Sequence, residues 1–147
     1  MASHALGDGG IPPRDATRRG LTRVMTLSGA YGTRNYTVKG LRDQKGKRVL
    51  VETLPFSVEE AMAAEEAGID TMKVRFDPNM PGPAADIRKA APNTFMAFSV
   101  PLIAAASPEE AVRLGYDAMA LGADAIMCQW SPRFIEAAAE AGIPVQG

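Results

Sequence analysis

The sequence predicts an α/β fold on a parallel sheet: an incomplete (β/α) barrel of the TIM type, with about four βα units and a fifth strand. Three observations carry this expectation. From residue 48 onward, short apolar runs alternate with helical stretches. Three junctions share one form, Ala67-Gly68-Ile69-Asp70-Thr71-Met72, Leu121-Gly122-Ala123-Asp124-Ala125-Ile126-Met127 and Ala141-Gly142-Ile143-Pro144-Val145, in which a helix stops at glycine and an apolar strand follows. Two helices open on the same Ser-x-x-Glu spacing, Ser57/Glu60 and Ser107/Glu110, in which each side chain can satisfy a backbone N–H left over at the helix start. The 147 residues fall short of the roughly 250 of a complete barrel.

Taken in order, residues 1–35 read as a basic, poorly ordered arm rich in Gly, Pro, Ser and Arg, within which Thr22 to Tyr31 has no assigned element but can touch the core, and residues 36–147 as the N-terminal half of a barrel. Thr37 to Asp43 forms a short helix with Val38 and Leu41 inward, and Gln44 to Lys47 is a turn. Arg48 to Thr53 is the first strand, and Ser57 caps a helix that ends at Gly68. Thr71 to Phe76 is a strand, the proline-rich stretch Asp77 to Pro83 a loop, and Ala84 to Ala91 a helix. Thr94 to Ser99 is the third strand; Ser107-Pro108 opens the helix that ends at Gly122, with proline at the first position, where its missing N–H costs nothing. Ala125 to Gln129 is the fourth strand, Ser131-Pro132 starts the last helix, and Pro144 to Gln146 opens a fifth strand.

Composition removes several function classes. No apolar run reaches the ~18–20 residues of a membrane span. A single cysteine, Cys128, cannot form an internal disulfide or a cysteine-based zinc site. A single histidine, His4, argues against a histidine metal centre and a Ser-His-Asp triad. Neither a Gly-x-x-x-x-Gly-Lys phosphate loop nor a Gly-x-Gly-x-x-Gly fingerprint is present. The net charge of −1 hides an asymmetry: residues 1–48 hold ten Lys/Arg and three Asp, and the rest is acidic. The basic stretch lacks the aromatic interleaving of a single-strand binder, so it reads as a solvated tail and nucleic acid is not expected as a partner. With one unpaired cysteine and no export signal, the expected location is cytoplasmic.

Right-handed crossovers place all strand carboxyl ends on one face, where ligands bind in such folds. Asp77 is the candidate metal ligand or acid/base group there, since a carboxylate can hold Mg²⁺ or accept a proton; a loop Asp turning the chain before proline is the structural alternative. Arg75 is a candidate to bind a substrate carboxylate bidentately, against a salt bridge to Asp77 or Glu52. Ser99 and Gln129 are candidate hydrogen-bonding partners of a ligand, against a turn residue and a satisfied interior amide. Trp130 reads as packing more than stacking, and Cys128, inside an apolar strand, as a buried inert thiol.

From Tyr36 to the end, about three quarters of the chain, the sequence resembles ketopantoate hydroxymethyltransferase (3-methyl-2-oxobutanoate hydroxymethyltransferase), a barrel of the phosphoenolpyruvate/pyruvate, isocitrate lyase-like superfamily. The resemblance rests on Tyr36-Thr37-Val38-Lys39-Gly40-Leu41-Arg42 with Lys45-Gly46-Lys47-Arg48; on Glu66-Ala67-Gly68-Ile69-Asp70; on Val100-Pro101 with Ala105-Ala106-Ser107-Pro108-Glu109-Glu110-Ala111; and on Leu121-Gly122-Ala123-Asp124-Ala125-Ile126 with Ala141-Gly142-Ile143-Pro144-Val145-Gln146-Gly147. It spans about the first half of a family member. The resemblance implies a magnesium-dependent transferase of pantothenate biosynthesis, carrying a one-carbon unit from methylenetetrahydrofolate to a 2-oxo acid through an enolate that Mg²⁺ stabilises. The family's second strand ends Gly-Asp-Ser with a metal-ligating Asp. An ungapped match sets Phe76 on that Asp and Asp77 on the serine, and a one-residue slip makes Asp77 the ligand. Ser99 takes the place of the second metal-site Asp, and Met127 and Gln129 those of a Lys and a Glu on strand four.

The resulting expectation is a divergent hydroxymethyltransferase-like protein with Asp77 as catalytic and metal residue and Arg75, Ser99 and Gln129 on the substrate. The alternatives are a non-catalytic barrel fragment or assembly subunit, and a different 2-oxo acid lyase or aldolase of the same superfamily. An open sheet edge, together with the resemblance, sets the expected partner as a second copy of the chain in a homo-oligomer or a complementary barrel half.

Overall fold

The computed structural model describes residues 20–147, so the expectation for residues 1–19 of the basic arm lies outside it. The described chain forms a hairpin, β1 (Thr22–Met25) and β2 (Tyr31–Arg34), a short helix α1 (Val38–Arg42), and then alternating units: β3 (Glu52–Thr53), α2 (Val58–Glu66), β4 (Thr71–Arg75), α3 (Gly82–Ala90), β5 (Phe95–Ser99), α4 (Pro108–Ala120), β6 (Ala125–Met127), α5 (Pro132–Glu140) and β7 (Val145–Gln146). Strands β3 to β7 make one parallel sheet in chain order. The coarse expectation of an α/β fold on a parallel sheet is thus met.

The three rhyming junctions are helix stops of one geometry. Gly68, Gly122 and Gly142 take φ of 80°, 101° and 85°. Each donates its N–H three residues back, to Glu65, Met119 and Ala139, and the residue after each donates five back, to Ala64, Ala118 and Ala138. Gly122 is the most constrained, because a Cβ there would lie 2.8 Å from Cγ of buried Arg88. Gly122→Ala is expected to cost about 1–3 kcal/mol in urea unfolding, combining left-handed strain with overpacking. Gly142→Ala, with nothing within 4 Å, measures the strain alone and costs less.

The helix starts follow the sequence with one shift. Ser57 and Ser107 accept from the Glu60 and Glu110 N–H at 3.1 and 3.2 Å. The glutamates return one residue beyond the cap, to the N–H of Phe56 and Ala106. Ser131 makes no side-chain cap bond, and α5 relies on Pro132 at its first turn.

One face of the sheet packs under α2 to α5. Met72, Val74, Met96, Phe98 and Ile126 are at most 1% exposed and pack with Ala61, Ala84, Ile87, Ala111, Ala118 and Ala138 of the helices. Alanine on the helix side lets the helices approach closely, and Phe76 and Phe98 fill the middle with ring centroids 5.9 Å apart. On the opposite face Val38 and Leu41 of α1, with Tyr36 just before it, pack on Phe95, Ala97 and Ala125.

Two segments differ from expectation. Residues 20–35, read as part of the arm, form the hairpin, with Arg34 buried among Asp124 and the carbonyls of Thr33 and Pro92. The first strand shrinks from Arg48–Thr53 to Glu52–Thr53. Asp70 accounts for this in part: its carboxylate takes the Val51 N–H at 2.9 Å and the Arg48 guanidinium, while the Val51 carbonyl still accepts the Thr71 N–H at 3.3 Å.

Candidate functional site

The amino ends of the strands hold a dense polar network. Asp124 accepts Arg34 Nε on both oxygens (2.8 and 2.9 Å), Arg88 Nη1 (3.1 Å) and the Met96 N–H (2.9 Å). Glu65 ties Asn93 and Thr94, and Asn35 bridges Asp70 and Phe95. Burial pushes the Arg88 guanidinium down to about 10, with Arg34 adding repulsion and Asp124 opposing both, so it stays charged at neutral pH. Among the described residues no buried side-chain nitrogen or oxygen is left without a hydrogen-bond partner, so this network ties the amino ends of the strands together.

The carboxyl ends are different. Register places Arg75 beside Ser99, Ser99 beside Met127, and Met127 beside Gln146. All four lie on the face away from α2 to α5, since side chains alternate and Val74, Phe98 and Ile126 take the helix side. Cys128 and Trp130 turn into the core at 1% and 5% exposure, leaving Gln129 exposed between them. Among the described residues the side chains of Arg75, Ser99 and Gln129 have no hydrogen-bond or ion-pair partner. Neither salt bridge set as the alternative for Arg75 is formed: Glu52 pairs with Lys73 Nζ at 3.1 Å, and Asp77 accepts the Asn79 N–H. Arg75 and Ser99 therefore come together on adjacent strands, with Gln129 two residues beyond β6 on the same side.

Asp77 plays a local part. Its Oδ1 accepts the Asn79 N–H at 2.9 Å and its carbonyl the Met80 N–H at 3.0 Å, a turn that leads to α3. Among the described residues no three His, Cys, Asp or Glu side chains converge in a way that could hold a metal ion. Mg²⁺ takes an octahedron of oxygens. Asp77, with one oxygen engaged by the Asn79 N–H, leaves one carboxylate oxygen for a cation at this end of the sheet.

Trp130 is a packing residue: its Nε1 donates to the Pro101 carbonyl at 3.3 Å. Burial raises the Cys128 thiol, with a bond to the Trp130 backbone working the other way. Cys128 is therefore expected to resist Ellman's reagent at neutral pH in the folded protein and to react fully in denaturant.

Sequence reasoning missed the pair below Arg75. Lys73 shares the face of Arg75 by the two-residue period, and Glu52 shares it by register with Thr71, whose Oγ1 donates to Glu52 at 3.1 Å. The period was available to give Lys73; the pairing needed the register. Beneath lies a cleft of about 450 Å³ between α1 and the sheet, lined by Val38, Leu41, Phe95 and Val145, with Glu52 at its edge.

Fold and site define a parallel α/β domain with unspent polar groups at its strand carboxyl ends. No family model matches the chain, and neither a curated protein nor a solved structure matches it. Among the described residues, no helix is long and apolar enough to cross a membrane.

Proposed function

We propose that this open face binds a small 2-oxo acid. In this reading Arg75 takes the carboxylate through its planar fork, and Ser99 and Gln129 address the oxo oxygen. The observation that carries it is the pairing of Arg75 with Ser99 across adjacent strands, both without a partner among the described residues, at the end of the sheet where such folds bind ligands. The resemblance to ketopantoate hydroxymethyltransferase supports the rest of the reading. The five ordered parallel strands are then the first half of a TIM-type barrel, and the chemistry is one-carbon transfer from methylenetetrahydrofolate through an enolate. No step of this proposal runs through a metal.

Calorimetric titration of the chain with 2-oxoisovalerate, in EDTA and again in excess Mg²⁺, tests it. Saturable binding by the wild type that is lost on Arg75→Ala supports the reading. Absence of binding by a folded chain in both buffers refutes it.

A second reading, an assembly subunit, is favoured by the β3 edge. Val49 and Val51, which lead into it, are 86% and 57% exposed, and β3 has one paired neighbour among the described residues. Light scattering on the same sample distinguishes a defined oligomer from a monomer.

A further inference from the structure

We infer that Lys73 is a covalent site for the 2-oxo acid, its amine condensing with the keto carbon while Arg75 holds the carboxylate. This deepens the ligand reading above and rests on it. Of the five lysines in the sequence, Lys73 alone is carried on the sheet; Lys39, Lys45, Lys47 and Lys89 are exposed on a helix or turn. It stands two residues before Arg75 on the same face, a rise of roughly 6–7 Å, which two long side chains close easily on one small molecule. Its side chain is 26% exposed, partly shielded from bulk water but reachable from the open face.

Lysine becomes a nucleophile toward a carbonyl only as the neutral amine, so it needs a proton acceptor at hand. Glu52 Oε1 is 3.1 Å from Nζ, and the Thr71 hydroxyl holds the other Glu52 oxygen. In the step assigned here, Glu52 takes one proton from the ammonium. The amine nitrogen attacks the keto carbon, the N–C bond forms, and the carbonyl electron pair moves to oxygen. A proton passes from nitrogen to that oxygen, giving a carbinolamine. Glu52 returns its proton, the C–O bond breaks, and water leaves a protonated imine. The sum is ammonium plus ketone going to iminium plus water, with Glu52 regenerated. The iminium is an electron sink for enolate-type chemistry at the neighbouring carbon, supplied by the chain itself.

The test incubates the full chain with 2-oxoisovalerate and sodium cyanoborohydride, which delivers hydride to the imine carbon and fixes the adduct as a secondary amine. Intact mass should rise by the acid less one oxygen atom, and peptide mapping should place the adduct on Lys73. Lys73→Arg, which keeps the charge, should reduce labelling to the background of the surface lysines. Glu52→Gln should slow it by roughly tenfold or more. Circular dichroism of both variants establishes that they fold. Equal labelling of the wild type and Lys73→Arg overturns the inference. So does calorimetric binding of the acid without any Lys73 adduct, which leaves the ligand reading standing. Absence of both binding and adduct overturns the two together.

Discussion

Replacing Asp124 with alanine is expected to destabilise the protein by about 3–5 kcal/mol, the largest single-site loss outside the apolar core. Arg34 and Arg88 are 5% and 7% exposed, and Asp124 is the carboxylate that both bond. Without it, two guanidinium groups stay buried with only carbonyl acceptors, and Met96 loses the acceptor of its N–H. Asp124→Asn keeps a carbonyl oxygen for one donor and loses the charge, so its cost should be intermediate. Guanidinium unfolding of the three proteins checks the order. Arg88 itself gives no slope of stability with pH across the neutral range. Its folded value, about 10, lies below its ordinary one, so the unfolded chain binds more protons only as pH climbs through that value, and stability then rises.

Arg75→Ala is the second large effect, on binding instead of folding. A carboxylate held by a guanidinium fork contributes about 1.5–3 kcal/mol, so the dissociation constant for 2-oxoisovalerate should rise roughly 10- to 150-fold. Arg75 is exposed at the end of β4 and holds no partner among the described residues, so unfolding should move by less than about 0.5 kcal/mol. Arg75→Lys retains charge without the fork and should recover part of the affinity. Loss of binding with loss of fold, or no change in binding, contradicts the proposed role of this side chain. Asp77→Asn is the informative companion: its carboxylate works in a turn with Asn79, so binding in EDTA should be preserved.

Arg75, Ser99 and Gln129 were readable as candidates because they follow apolar runs at strand ends, and polarity there has no structural use that alternation supplies. Asp77 was readable only as an ambiguity. A carboxylate before proline is equally a ligand or a turn, and the Asn79 N–H at 2.9 Å decides how one of its oxygens is used. Arg34 and Arg88 lay in a basic stretch and on a helix, with nothing local to say that both meet Asp124. The hairpin was missed for a related reason: Thr22 to Tyr31 lacks a regular apolar period, and burial of Arg34 is what anchors it.

By itself the sequence determined what depends on neighbours along the chain. Helix stops at Gly68, Gly122 and Gly142, helix starts at Ser57 and Ser107, and the alternation of strand and helix all arise within a few residues, where backbone sterics and local hydrogen bonds act. Tertiary structure alone decided which charges meet: Arg34 and Arg88 on Asp124, Glu52 on Lys73, and Arg75 left open beside Ser99. Those outcomes turn on strand register, and a shift of one residue would exchange the two faces of a strand and send Arg75 and Lys73 into the apolar core.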